Sequence, residues 1–207
     1  MRRRALILVL LLALPGVAAA SNGKQLYGMY CLKCHGPNGA GQTKPSPTIG
    51  PPLQGVGALA ADFYLHTGYM PLKQNGLQPR RSRLLLSERQ IQALIAYVAS
   101  LGRGPAIPTP HPERGNLSQG QQLFTERCAG CHQIVARGGY LTHGVPPRLG
   151  DATARQIAEA VRIGPYVMPR FSPKQITNAQ LADLRVRPAL VEVGRPERSH
   201  HRDVVVT

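Results

Sequence analysis

The chain has 207 residues, room for one or two domains, and glycine (22) and proline (19) fill about a fifth of it, a loop-rich rather than disordered composition. No apolar run approaches the roughly 18 residues of a membrane span, which excludes a polytopic membrane protein, and aromatic residues reach only 5% with no tryptophan, so a core here lacks its usual large flat side chains. The balance of 25 Lys+Arg against 10 Asp+Glu, +15, suggests an acidic partner, a nucleic acid or an anionic membrane surface, but the basic residues beyond the N-terminus are scattered, without aromatic interleaving, and read best as a solvated basic surface.

Taken in chain order, Arg2, Arg3 and Arg4, the apolar stretch Ala5 to Leu14, the Pro15-Gly16 break and Ala18-Ala19-Ala20 read as a secretory signal peptide over residues 1–20. The protein is therefore expected to be exported, to the outer face of the cytoplasmic membrane. An uncleaved anchor is the weaker reading, because ten apolar residues span about 15 Å, half of a hydrocarbon core. A first domain is predicted over 21–103, a Pro-rich linker over 104–117, a second domain over 118–190 and a charged tail over 191–207. Ser21 or Asn22 can cap a helix running into Cys31. Ala58 to Thr67, closed by Gly68, reads as a short helix. Ser87 with Gln90 opens a helix whose Ile91, Leu94, Ile95, Val98 and Leu101 share one face before Gly102. Pro105, Pro108, Pro110 and Pro112 predict an extended, semi-rigid spacer. Ser118 with Gln121 forms a capping box for a helix into Cys128, and Asp151 opens Ala152 to Ile163, closed by Gly164. Thr177 to Leu184 starts a helix like Ser87 to Leu94, but Pro188 ends it. No strand pair shows period-two alternation, so the fold class is all-α.

The chain repeats itself. Cys31-Leu32-Lys33-Cys34-His35 returns 97 residues later as Cys128-Ala129-Gly130-Cys131-His132, which uses every cysteine. Upstream, Gly23, Tyr27 and Cys31 match Gly120, Phe124 and Cys128 at i, i+4, i+8, one helix face in each copy. Downstream lie Pro51-Pro52-Leu53 and Pro146-Pro147-Arg148-Leu149, then Met70-Pro71 and Met168-Pro169.

Cys-x-x-Cys-His is the attachment signature of c-type haem. Two thiols add to the two vinyl groups of the porphyrin, and the adjacent histidine supplies the proximal nitrogen to iron. An iron used for electron transfer needs a sixth ligand, and a thioether serves while raising the potential. Met70 lies 35 residues beyond His35, and Met168 lies 36 beyond His132. The expected cofactors are therefore two covalently bound haem c groups, tethered through Cys31, Cys34, Cys128 and Cys131, with His35, Met70, His132 and Met168 as axial ligands. Structural zinc would want its cysteine pairs closer together. Two disulfides or a redox dithiol leave the paired histidines without a role. His66 and His143 are alternative sixth ligands, each without a counterpart in the other copy; Met29 sits too near Cys31 to reach the opposite haem face. A carbonyl at Pro52 and at Pro147 is a candidate acceptor for the second ring N–H of His35 and His132. Each half, at about 80 residues with few aromatics, is expected to be poorly folded without the apolar mass of its porphyrin.

The stretch from Gly23 to about Leu184 resembles the di-haem cytochrome c subunit of actinobacterial-type cytochrome bcc complexes, the menaquinol–cytochrome c reductases. The resemblance rests on Leu26-Tyr27 to Cys31-Leu32-Lys33-Cys34-His35-Gly36, Gly50-Pro51-Pro52-Leu53-Gln54-Gly55-Val56-Gly57-Ala58, Asp62-Phe63, Thr67-Gly68-Tyr69-Met70-Pro71-Leu72, Cys128-Ala129-Gly130-Cys131-His132 and Gly164-Pro165 with Met168-Pro169. It implies two tandem class I cytochrome c domains, each wrapped round a covalently attached haem, with His35, Met70, His132 and Met168 on the axial positions. It also implies transfer of electrons from the Rieske iron–sulfur protein, beside cytochrome b, to the copper centre of a terminal oxidase. The sequence departs from the family near its end: from about residue 185 it continues as Arg185-Val186-Arg187-Pro188 and a polar tail, read as a truncation, a frame artefact or a diverged end, with no convincing transmembrane anchor. Membrane association is then expected through the complex. A free di-haem carrier and a di-haem peroxidase with a displaceable sixth ligand are the competing readings.

Overall fold

The computed structural model of the chain describes residues 15–42, 50–72 and 78–184. Arg2 to Leu14 of the expected signal peptide and the expected tail lie outside the described residues. The chain divides into two compact units, residues 1–107 and 108–207.

In the first unit, α1 (Pro15–Tyr30) leads directly into α2 (Leu32–His35), followed by α3 (Gly57–His66) and α4 (Glu88–Ser100). The expected cap at Ser21 or Asn22 does not form. Ala18-Ala19-Ala20 are strong helix formers, so the helix continues back to Pro15, whose fixed φ suits a first turn. The backbone N–H of Ser87 donates to Gln90 Oε1 at 2.8 Å and opens α4 as the spacing predicts. Ile91, Leu94, Ile95 and Val98 of its apolar face are buried with Leu26 and Tyr27 of α1 and Ala61 of α3. Full burial of each large aliphatic side chain contributes about 1.5–3 kcal/mol. Where α1 crosses α4, a Cβ on Gly23 would run into the Ala93 carbonyl and Tyr97 Cβ; the absence of a side chain lets the backbones touch. The Tyr27 and Tyr97 rings pack tilted at that crossing, 5.2 Å between centroids.

The second unit repeats the arrangement with α5 (Leu117–Arg127), α6 (Ala129–His132), α7 (Ala154–Ile163) and α8 (Asn178–Asp183). Asn116, not Ser118, opens α5. Its side chain accepts from Gln119 N–H at 3.1 Å while its own N–H donates to Asp183 Oδ1 at 2.7 Å, a tertiary bond that fixes the helix start. Likewise Thr153 rather than Asp151 caps α7, pairing with Gln156, and Gly164 at φ +64° closes it. Thr177 and Gln180 open α8. Leu123, Ala158, Val161, Ile176, Leu181 and Leu184 form the core, with Phe124, Ile157, Met168 and Phe171 packed against it. Gly120 mirrors Gly23: a Cβ there would strike the Asp183 carbonyl.

Residues 104–117 are not a free spacer. Leu59 N–H donates to the Pro105 carbonyl at 3.2 Å and Ile107 packs on the first core. Pro112–Arg114 form a 3-10 turn, and Gly115 lies against the Ala182 carbonyl in the second unit. Glycine and proline promised irregular backbone, and the structure attaches that backbone to each unit by ordinary main-chain contacts. Among the described residues there is one isolated β-bridge, Leu141 to Gly144, and no strand; the all-α expectation holds. Among them, too, no helix is long and apolar enough to cross a membrane.

Candidate functional site

Each Cys-x-x-Cys-His motif occupies the kink at the end of a long helix. Cys31 and Cys128 terminate α1 and α5, and one further short helical turn carries Cys34 with His35 and Cys131 with His132. The Cys31 and Cys128 amides still donate to Tyr27 and Phe124 carbonyls at 2.9 and 2.8 Å, so the first sulfur of each pair is set by the long helix. Cys31 packs on the first core. All four thiols are free, and burial pushes those of Cys31 and Cys128 up to about 11.

Both imidazoles are oriented the same way. His35 Nδ1–H donates to the Pro51 carbonyl at 2.8 Å, and His132 Nδ1–H donates to the Pro147 carbonyl at 3.0 Å. A carbonyl only accepts, so the proton sits on Nδ1 and the Nε2 lone pair is left for a metal. Burial holds the His132 pKa below the ordinary value of 6.5, against the raising effect of its bond to Pro147, which favours the neutral, ligating form.

In the first unit the acceptor is Pro51, which corrects the assignment to Pro52. Aligning the two Pro-Pro pairs puts the register off by one. Leu53 N–H donates to Gly39 O at 2.8 Å as Leu149 N–H does to Ala136 O at 3.0 Å, so Pro51-Pro52-Leu53 corresponds to Pro147-Arg148-Leu149. The imidazole and its carbonyl are 16 residues apart in one copy and 15 in the other. Anchoring the alignment on leucine would have found this.

Met70 and Met168 follow α3 and α7, both half-buried. Met70 N–H donates to Tyr64 O at 3.0 Å; its turn is held by Ser82, whose Oγ–H donates to Gly68 O at 2.6 Å. Met168 N–H donates to Pro165 O at 3.0 Å, and its side chain packs on the second core. His66 is engaged at both ring nitrogens, Nδ1 3.0 Å from Asp62 Oδ1 and Nε2 3.0 Å from Glu88 Oε2, which leaves neither for iron. His143 is exposed on a loop. Two acids are buried beside the methionine turns, Asp62, which enters the resemblance as Asp62-Phe63 without a stated role, and Glu159, which the sequence did not single out. Asp62 and Glu159 are 1% and 0% exposed, stand 97 residues apart like the cysteine motifs, and each lies one turn before the end of its helix. That shared spacing was the available signal.

The donor set fits a covalently tethered porphyrin. Among the described residues no group of three or more His, Cys, Asp or Glu is placed to hold a metal ion. A Cβ on Gly50 would come 2.9 Å from His35 Nδ1 and 2.7 Å from the Cys34 carbonyl, so the loop over the imidazole closes only on glycine. Large apolar side chains stand exposed in both units, Met29, Tyr30 and Leu32 adjoining the first motif in sequence and Tyr140, Tyr166 and Val167 in the second unit.

Known proteins match both halves. The cytochrome c family profile covers residues 20–102, and that of cytochrome c oxidase, cbb3-type, subunit III covers residues 115–185. The chain is 38% identical over 170 residues to the cytochrome bc1 complex cytochrome c subunit of Mycobacterium tuberculosis, an overlap of 77% of this chain and 59% of that protein. It is 35% identical over 185 residues to the subunit of the same name from Corynebacterium diphtheriae, 81% of this chain and 64% of that one. The cbb3-type cytochrome c oxidase subunit FixP of Sinorhizobium medicae is 28% identical over 139 residues, 65% of this chain and 45% of that one. The chain thus spans less than two thirds of the length of these relatives.

Proposed function

Both halves of this chain belong to the cytochrome c family and the whole is a homologue of the cytochrome c subunits of bc1 complexes; from that premise we propose that it relays electrons through two covalently attached haem c groups as the cytochrome c subunit of a quinol–cytochrome c reductase. Electron transfer by haem c is the activity class of both domains. The proposed route runs from a Rieske centre, beside cytochrome b, to the copper centre of a terminal oxidase, on the outer face of the cytoplasmic membrane after export through residues 1–20.

Each haem, when bound, supplies a one-electron ferric/ferrous couple. Cys31 with Cys34, and Cys128 with Cys131, tether the ring edge. His35 and His132 present Nε2, and the carbonyls of Pro51 and Pro147 fix the ring orientation and add basicity to the ligand. Met70 and Met168 would supply thioether sulfur to the iron, a ligand that favours the reduced state and would leave no position for substrate. The observation that carries the reading is the duplicated imidazole-to-prolyl-carbonyl bond behind each Cys-x-x-Cys-His turn.

The test is a visible spectrum and a haem count on protein exported by a host competent in c-type maturation. Two low-spin haems per chain with a thioether-to-iron band are expected; a colourless product, or one holding zinc or cystine, overturns the proposal. Carbon monoxide binding to one native haem favours the peroxidase reading. Co-purification with, and reduction by, a quinol-oxidising membrane complex separates the subunit from a free carrier.

A further inference from the structure

Between Met70 and α4 the chain passes through Arg80-Arg81-Ser82-Arg83-Leu84-Leu85-Leu86 as irregular backbone. Every residue from Arg80 to Leu85 is exposed, Leu84 at 40% and Leu85 at 72%, and only Leu86 turns into the core. The run is nonetheless held in place. Ser82 N–H donates to Thr67 O at 3.3 Å, Ser82 Oγ–H donates to Gly68 O at 2.6 Å, and Leu86 packs in the cluster that holds Leu26, Ile91 and Leu94. The Arg81 charge acts on Tyr69, opposing the burial that raises that phenol's pKa. The result is a fixed ridge of three guanidiniums and two uncovered leucines, with no acidic residue between Pro79 and Ser87.

Single exposed leucines need no explanation, but two adjacent ones amid three arginines have the composition of an interfacial segment: apolar side chains for the headgroup–acyl boundary and cations for the phosphates above it. A guanidinium is weakly hydrated and meets phosphodiester oxygens in a bidentate fork, which suits it to this boundary better than an ammonium. A stable protein interface takes about 800 Å² from each partner, more than a six-residue ridge presents, whereas a fluid headgroup layer accepts a ridge. We propose that Arg80, Arg81, Arg83, Leu84 and Leu85 dock the first unit on the surface of an anionic phospholipid membrane. Because Ser82 ties the ridge to the Thr67-Gly68 turn, docking sets the Met70 side of the unit toward the bilayer. The proposal goes beyond the electron-transfer reading and does not depend on it.

The experiment is co-sedimentation of the exported holoprotein with vesicles of phosphatidylglycerol and phosphatidylcholine, against vesicles of phosphatidylcholine alone. Binding is expected only to the anionic vesicles and to fall as salt rises. At roughly fivefold per charge, R80Q/R81Q/R83Q is expected to weaken partitioning about a hundredfold. L84S/L85S is expected to weaken it several-fold. R148Q/R170Q/K174Q, which removes as much charge from exposed positions of the second unit, is expected to change it less than twofold. Should the first triple variant misfold, R80Q/R83Q leaves Arg81 with Tyr69 and is read in its place. Equal losses from the two triple variants would overturn the proposal in favour of diffuse charge. Absence of binding to phosphatidylglycerol vesicles would overturn it and assign the ridge to a protein partner.

Discussion

After His35 the first unit turns back through Gly36 at φ +69° and Gly39 at φ +67°, and one side chain spans the turn: Tyr27 Oη–H donates to Gly36 O at 2.6 Å and accepts from Gly39 N–H at 3.1 Å. Burial raises the Tyr27 pKa, so the hydroxyl keeps the proton it donates. The second unit makes the same turn with Gln133 at φ +62° and Ala136 at φ +55°, and Phe124 stands where Tyr27 would. With ψ near 173° and 155°, Gly36 and Gln133 both sit in a region that glycine nearly monopolises. The loop conformation therefore follows from what it delivers, a prolyl carbonyl to an imidazole, and not from local preference. The first unit meets that demand with suitable residues. The second holds it with strain of about 1–3 kcal/mol per residue and without two hydrogen bonds worth about 1 kcal/mol each. Among the described residues no counterpart of Tyr97 packs on its core.

The largest expected difference concerns the porphyrin's share of stability. C128A/C131A should leave the second unit open to proteolysis and to fast amide exchange, while C31A/C34A leaves α1 and α4 measurably protected; equal protection in both variants would break the comparison. Next, Leu94→Ala in the core of the first unit should cost about 3 kcal/mol in denaturant unfolding of the holoprotein, because Leu94 is fully buried and its cavity cannot collapse. Exchange of turn residues should run in opposite directions. Gly36→Ala, which combines a positive φ with a Cβ 2.5 Å from the Gly41 carbonyl, should destabilise by about 2 kcal/mol or more, whereas Gln133→Gly should stabilise by about 1 kcal/mol. Tyr27→Phe should lower the first unit's stability by about 1–2 kcal/mol, and the reverse change at Phe124 should recover less.

Much of this was legible from the sequence. The apolar period of Ile91, Leu94, Ile95 and Val98 with the Ser87 cap placed α4, and the doubled Cys-x-x-Cys-His marked where the short turns α2 and α6 form. What was missed depends on contacts between distant segments. Asn116 outcompetes Ser118 as a cap because Asp183, 67 residues away, binds its amide. Pro51 replaces Pro52 because the leucine two residues on, rather than the proline pair, carries the conserved backbone bond to the loop. Asp62 and Glu159 look like ordinary surface acids within helices of mixed composition, and only packing against the rest of each unit buries them. The prolines of residues 104–117 suggested stiffness but held no information about which flank each would join.

The one-residue difference in length between the two imidazole loops has a use in engineering. The second unit's loop is the shorter, and it carries a small hairpin in which Leu141 and Gly144 exchange amide bonds of 2.8 and 3.3 Å across Thr142 and His143. A tether, epitope or fluorophore handle grafted at that tip would lengthen a stretch whose length already differs between the copies. It would leave the strap beneath, from Pro146 to Leu149, clasped to its own anchors.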